Sequence, residues 1–144
     1  MSNTSIQERE RQVVDEFMLF DDWMGKYEYL IELGKDLPLI EEKYKTDDYR
    51  IRGCQSKVWL RPDRQNGRVV YRADSDAMIT KGLIALLIRV LSDQPAEAVA
   101  EADVQFLEEI GLNEHLSSTR KNGLQSMVQQ MKAYAKALAN GAEA

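Results

Sequence analysis

The chain has 144 residues, 44% apolar and 30% charged, and 19 Lys and Arg against 24 Asp and Glu leave a net charge of −5. That length suits one domain able to bury about 68–70% of its unfolded surface, and the apolar content excludes a disordered chain. The acidic balance counts against a general nucleic-acid binder, which needs a basic face to replace phosphate counterions, and the longest apolar run, Leu83 to Ile88, falls far short of the ~20 residues of a membrane span. Neither nucleic acid nor membrane is therefore expected as a partner. The opening MSNTSIQERERQ has no apolar stretch of the secretory kind. With Cys54 as the single cysteine no internal disulfide can form, so a reducing, cytoplasmic setting is expected.

Ile6, Val13, Phe17 and Phe20 recur at helical spacing and predict an amphipathic helix after a frayed tip. Asp21 or Asp22 can cap a second helix, with Trp23, Tyr27, Leu30 and Ile31 on one stripe, Gly34 at the left-handed position after its end, and Pro38 beyond. From Tyr49 to Arg52 the period changes to two, an extended segment with one apolar and one basic face that runs into Gly53 and Cys54. Lys57 to Arg61 and Arg68 to Arg72, rich in β-formers, flank Asn66-Gly67 and predict a hairpin. Ser75 or Asp76 can cap the next helix, expected to be the most buried, where Ile79, Leu83, Leu86, Leu87 and Val90 form a wide apolar face beside Met78 and Leu91. Pro95 suits the first position of a short helix, and Asp103 can cap another that carries Phe106, Leu107 and Ile110 and ends at Gly111. Ser117 or Ser118 opens a long helix burying Leu124, Met127, Val128, Met131, Ala135 and Leu138, with a loose tail from Asn140. With no repeat or linker, residues 1–144 read as one α+β domain, helices packed on a small antiparallel sheet.

The solitary thiol sits in RIRGCQSKVW, directly after a glycine that permits unusual backbone angles. A lone cysteine is commonly a small buried hydrophobe. Arg50, Arg52 and Lys57 favour thiolate if they come close in space. A cysteine hydrolase would need His115 as its base, and the bland reading of that residue is an exposed turn. Metal or cluster ligation needs more Cys and His ligands than one chain of this composition supplies, so no metal site is expected. Attack on another protein's S–S bond needs no second catalytic group in the chain, because the partner brings the bond to be broken. Asp74 and Asp76 flank Ser75, where helix capping competes with an acid–base or metal role that lacks a third ligand. Arg120 would stand in a first helical turn against the helix dipole, which suits either a bound partner or a solvated surface. Trp23, Tyr27 and Trp59 read as core.

The runs YEYLIELGKDLP, GCQSKVWL, ADSDAMITKGLIALL and LSSTRKNGL, in this order and spread over most of the chain, resemble the SufE family of sulfur acceptors. The resemblance implies a small fold similar to the IscU scaffold and a carrier of persulfide sulfur, without independent turnover. Its partner would be a SufS- or CsdA-like cysteine desulfurase, which carries pyridoxal phosphate, so no cofactor is expected in this chain. A SufBCD-like iron–sulfur scaffold would receive the sulfur, and a homodimer remains an option. By the same resemblance the acceptor cysteine falls on Cys54, and supporting or partner-binding positions on Asp74, Ser75, Asp76, Lys81 and Arg120; Arg50, Arg52, Gly53, Gln55 and Ser56 join them as neighbours of the thiol. One departure is Ser118-Thr119, where the family commonly has Pro and Ser, which bears on the local helix cap. Two other readings stay open: a desulfurase-binding activator in which Cys54 is structural, and a hydrolase using Cys54 and His115.

Overall fold

The structure, a computed structural model, describes residues 4–141; the expected frayed tip and loose tail fall in part on residues 1–3 and 142–144, outside the described residues. The order of elements is α1 (Ile6–Phe17), α2 (Trp23–Lys35), a 3-10 turn (Glu42–Tyr44), β1 (Val58–Gln65), β2 (Arg68–Ser75), α3 (Met78–Leu91), β3 (Gln94–Pro95), α4 (Ala96–Ala100), α5 (Phe106–Glu109), α6 (Leu112–His115) and α7 (Ser118–Ala139). The strands form one antiparallel sheet in the order β1-β2-β3. This is the α+β architecture expected, with β3 added to the predicted hairpin.

The hairpin closes through Asn66 (φ 54°) and Gly67 (φ 78°), both left-handed, as a two-residue turn between right-twisting strands requires. Val58, Leu60, Val69, Tyr71 and Ala73 point inward and are buried. They meet α3, whose Leu83 to Ile88 run is buried throughout, while α7 covers β1 and lays Leu124, Met127, Met131, Ala135 and Leu138 on the core. Tyr71, fully buried, donates its hydroxyl hydrogen to the Met131 carbonyl and so joins β2 to α7. Ser5 caps α1 and Asp22 caps α2, each accepting from a backbone N–H three residues on. Glu16 of α1 receives the Arg89 guanidinium of α3 at 2.6 Å, and the same group donates to the Tyr29 hydroxyl of α2 at 2.7 Å.

The chain before the cysteine crosses the outer face of the hairpin. Pro38 and Ile40 bond to Ala73 on the free edge of β2, at 3.0 Å each, and Tyr49 and Ile51 bond to Leu60 and Val58 on the outer edge of β1, at 2.9 and 2.8 Å. The 38–51 segment is thus a strap fastened at both edges of the sheet.

Several local expectations are corrected. Phe20 lies beyond the end of α1. Gly34 is not a left-handed terminator but an interior residue of α2, buried against Gly82 of α3, and α2 ends on Asp36. Close helix packing needs a residue without Cβ there, so tertiary contact overrides the stop signal. Tyr49 ends a turn rather than opening a strand, and Arg50 makes only an isolated bridge with Trp59. Pro95 lies in β3 and caps α4 rather than entering it. Gln105, not Asp103, stands at the start of α5. At the tail, Asn140 and Gly141 still bond back to Lys136 and Leu138, at 3.1 Å each.

Gly82 marks the closest approach of α2 and α3: a Cβ there would lie 2.3 Å from the Leu30 carbonyl oxygen. Alanine gains up to about 1 kcal/mol in helix propensity, yet the backbone cannot yield that distance. Gly82→Ala is expected to destabilise the fold by roughly 1–3 kcal/mol, read as a fall in the urea midpoint.

Candidate functional site

Cys54 lies on the six-residue descent, 52–57, from the strap into β1. Ile51 is buried and bonded to Val58, which pins the start of this turn. Gly53 follows with φ +89°, a conformation that favours glycine, and a Cβ there would lie 2.5 Å from the Ser126 hydroxyl of α7, which would have to turn aside. Cys54 is thereby set half-buried against α7, its thiol donating to the Gly123 carbonyl with Sγ and O 3.6 Å apart. Gly123 packs directly against the cysteine: a Cβ there would stand 3.5 Å from Sγ, an ordinary van der Waals contact.

The thiol opens into a small cavity of about 100 Å³. Thr80, Leu83, Gly123 and Met127 line its buried side, while Gln55, Ser56, Ala77, Thr119 and Arg120 line the remainder. No His, Asp or Glu is among the lining residues. Burial pushes the Cys54 thiol above its ordinary range, and Arg50 pulls it partway back. The expectation that the basic neighbours favour thiolate is therefore corrected for the resting state: Arg50 acts in that direction, and desolvation outweighs it. Arg52 and Lys57 are exposed and are not among the causes of the shift.

The other predicted positions separate into two groups. Gln55, Ser56 and Arg120 join Cys54 at the cavity, with Ser117 capping α7 by accepting from the Arg120 N–H at 3.2 Å. The Asp74-Ser75-Asp76 segment and Lys81 do not reach it. Asp74 receives Lys45 of the strap at 2.6 Å and Lys81 of α3 at 3.3 Å, and also accepts from the Ser75 N–H at 2.8 Å. Burial alone would raise the Asp74 carboxyl, but the hydrogen bonds from Lys45 and Ser75, with Lys81 nearby, hold it below the usual carboxylate range. Asp76 accepts from the Lys57 N–H at 3.0 Å and returns its own N–H to the Lys57 carbonyl at 3.2 Å, closing the mouth of the hairpin. Neither Ser75 nor Asp76 caps α3. β2 runs on to Ser75, which pairs with Val58, and Ala77 stands at the helix start without a side-chain cap.

His115 ends α6, stacked on Trp23 with ring centroids 3.9 Å apart, and is absent from the cavity lining. Trp23, Tyr27 and Trp59 are half-buried; the first two pack against the core, and Trp59 lies under Lys45 of the strap. Among the described residues no group of three or more His, Cys, Asp or Glu could hold a metal ion, and no helix is long and apolar enough to cross a membrane. A groove of about 780 Å³ opens elsewhere, between α1 and α5, and contains no cysteine. Thr80, Leu83, Gly123 and Met127 were missed from sequence. Gly123 left one trace, since an interior helix glycine costs about 1 kcal/mol and calls for a packing reason.

The SufE family model, described as an Fe-S metabolism associated domain, matches residues 11–135. This chain belongs to the SufE family. An uncharacterized SufE-like protein of Rhizobium etli is 42% identical over 130 residues, covering 87% of this chain and 88% of the relative. A second, from Rhizobium meliloti, is 38% identical over 129 residues, covering 86% of this chain and 92% of the relative. SufE-like protein 1, chloroplastic/mitochondrial, of Arabidopsis thaliana is 38% identical over 122 residues, 84% of this chain but 33% of the plant protein. A solution structure of a hypothetical protein from Thermus thermophilus superposes with a TM-score of 0.77 over 93% of this chain and 97% of that one; at 21% identity it speaks for the fold alone. Membership of the SufE family gives this chain a role in Fe–S metabolism.

Two outcomes test the electrostatics of this SufE-family site. Asp74→Asn is expected to lower stability by roughly 1–3 kcal/mol at neutral pH. The folded carboxyl ionises below its unfolded value, so its stabilisation is present above the unfolded value and lost as pH falls through the folded one. Urea melts of wild type and variant should converge there. Arg50→Ala should move the Cys54 titration midpoint further up, measured as the pH dependence of iodoacetamide alkylation.

Proposed function

We propose that this protein accepts sulfur from a SufS- or CsdA-like cysteine desulfurase onto Cys54, stimulates that enzyme, and passes the sulfur to a SufBCD-like iron–sulfur scaffold. The observation that carries this reading is a lone thiol at a small cavity whose lining offers no general base. Hydrolysis would need one, whereas sulfur exchange does not, because the reactive bond arrives on the partner.

In the exchange, the Cys54 thiolate attacks the outer sulfur of the desulfurase persulfide. A Cys54–sulfur bond forms, the desulfurase S–S bond breaks, and the electron pair leaves on the desulfurase cysteine as thiolate. The proton of the persulfide stays on the transferred sulfur, so atoms and charge balance. One S–S bond replaces another, and the protein contributes access and orientation rather than driving force. The raised pKa of Cys54 fits a carrier that is quiet when free and is activated on docking, when desolvated contact with the cavity is exchanged for contact with the partner. Arg120 at the cavity and exposed Arg52 are assigned to the docking face, where charge speeds encounter more than it adds affinity. Gly53 shapes the turn, Gln55 and Ser56 guard the cavity, and Asp74, Ser75, Asp76 and Lys81 hold the frame behind it. The pyridoxal phosphate belongs to the desulfurase; on this reading the chain has no cofactor and no independent turnover, and it works in the reducing cytoplasm.

Incubation with a desulfurase and cysteine, without reductant, is expected to add about 32 Da per chain, one sulfur atom. The adduct should map to Cys54 and vanish in Cys54→Ser; an unchanged mass, or sulfur retained by that variant, rejects the assignment.

A further inference from the structure

We propose that the Thr80 hydroxyl, on the inner wall of the cavity, is the hydrogen-bond donor that stabilises the Cys54 sulfur anion, first as thiolate and then, on the sulfur-accepting reading above, as the outer sulfur of its persulfide.

Thr80 stands on the first turns of α3 and lines the same cavity of about 100 Å³ as Cys54. It is 8% exposed, and its hydroxyl makes no hydrogen bond among the described residues. The hydroxyl oxygen is not sealed from water, and with no hydrogen bond of its own among those residues it is free to donate to a new acceptor in the cavity. The other residues of the buried wall, Leu83, Gly123 and Met127, offer no side-chain donor. The neutral thiol spends its hydrogen on the Gly123 carbonyl. Once that hydrogen is gone the carbonyl can only repel the sulfur, so the anion needs a donor from another side. Of the charged groups, Arg50 of the strap acts on the thiol and Arg120 of α7 lines the cavity; α3 brings Ala77, Thr80 and Leu83 there, none of them charged. A hydrogen bond made only to the charged form lowers the cost of forming it. A persulfide places its charge one S–S bond, about 2.0 Å, beyond Sγ, and the cavity is the space into which that sulfur extends. Thr80 is then the inner donor to the transferred sulfur, and Arg120 the outer cation.

The experiment titrates Cys54 in the full-length chain by the pH dependence of iodoacetamide alkylation, followed by intact mass, in wild type, Thr80→Ser, Thr80→Ala and the near-isosteric Thr80→Val. Thr80→Ala and Thr80→Val are expected to raise the midpoint by about half a unit to one unit, a loss of about three- to tenfold in thiolate at a fixed pH below it. Thr80→Ser should remain within about twofold of wild type. Ala and Ser differ here only in the hydroxyl, so the pair decides the matter even where Val does not fold. Equal profiles for Thr80→Ala and Thr80→Ser, both shifted or both unshifted, overturn the proposal.

A second arm loads Cys54 without any desulfurase, from inorganic polysulfide: the thiolate takes the terminal sulfur and the donor leaves one sulfur shorter. The adduct of about 32 Da should be lost several-fold faster from Thr80→Ala than from Thr80→Ser, and equal rates overturn the persulfide half of the proposal. A chain that loads normally from polysulfide but takes nothing from a desulfurase would reject the partner and leave the role of Thr80 decided by these variants.

Discussion

Close approach of the Gly53–Cys54 turn to α7 is the contact on which the site depends. It is shaped by Gly53, held at φ +89° beside Ser126, and by the backbone carbonyl of Gly123, which receives the thiol. Any larger residue at Gly53 strains this left-handed turn, which sets the position of Cys54 against the helix. The same approach half-buries the sulfur, and from that burial follows the upward shift of its pKa against the pull of Arg50. Access to the sulfur and its ionisation are therefore one variable. Whatever draws the loop from α7 both exposes the atom and makes it a better nucleophile.

Behind the turn stands a frame made of the hairpin and the strap that crosses it. The strap is fastened by backbone bonds at both sheet edges and by the Lys45–Asp74 pair, and Lys81 ties the same carboxylate to α3. Asp76 closes the hairpin mouth through the Lys57 backbone. Acidic residues that look like a reactive cluster in one dimension thus serve to hold the two ends of the cysteine turn at a set separation. Their influence on the thiol is mechanical. Ion pairs of this kind contribute most when partly shielded from water, as Asp74 is at 13% side-chain exposure.

The chemistry offered by the cavity is narrow. The cavity holds a thiol, hydroxyl side chains and a cation, and its lining includes no His, Asp or Glu to serve as a general base. That narrowness agrees with a SufE-family chain's place in Fe–S metabolism, and on the proposed reading it shields the carried sulfur from oxidation and scavenging.

Elements whose signals are local and strongly periodic were legible in the amino-acid order alone. These are the helices around Val13, Leu30, Leu86 and Met131, the Asn66-Gly67 hairpin, the Asp22 and Ser117 caps, and the isolation of one thiol in a loop after glycine, because hydrophobic period, turn chemistry and residue count act over a few residues. Where a residue carried two meanings, packing in three dimensions chose between them. Gly34 reads as a helix stop but is a packing contact with Gly82, Ser75 and Asp76 read as caps but continue a strand and close a hairpin, and Arg52 and Lys57 read as activating neighbours but point to solvent. Thr80 and Gly123, separated from Cys54 by 26 and 69 positions in the chain, reach it only through the packing of α3 and α7. No periodicity along the chain encodes that meeting, since it depends on how whole helices cross and on where the space between them is left unfilled.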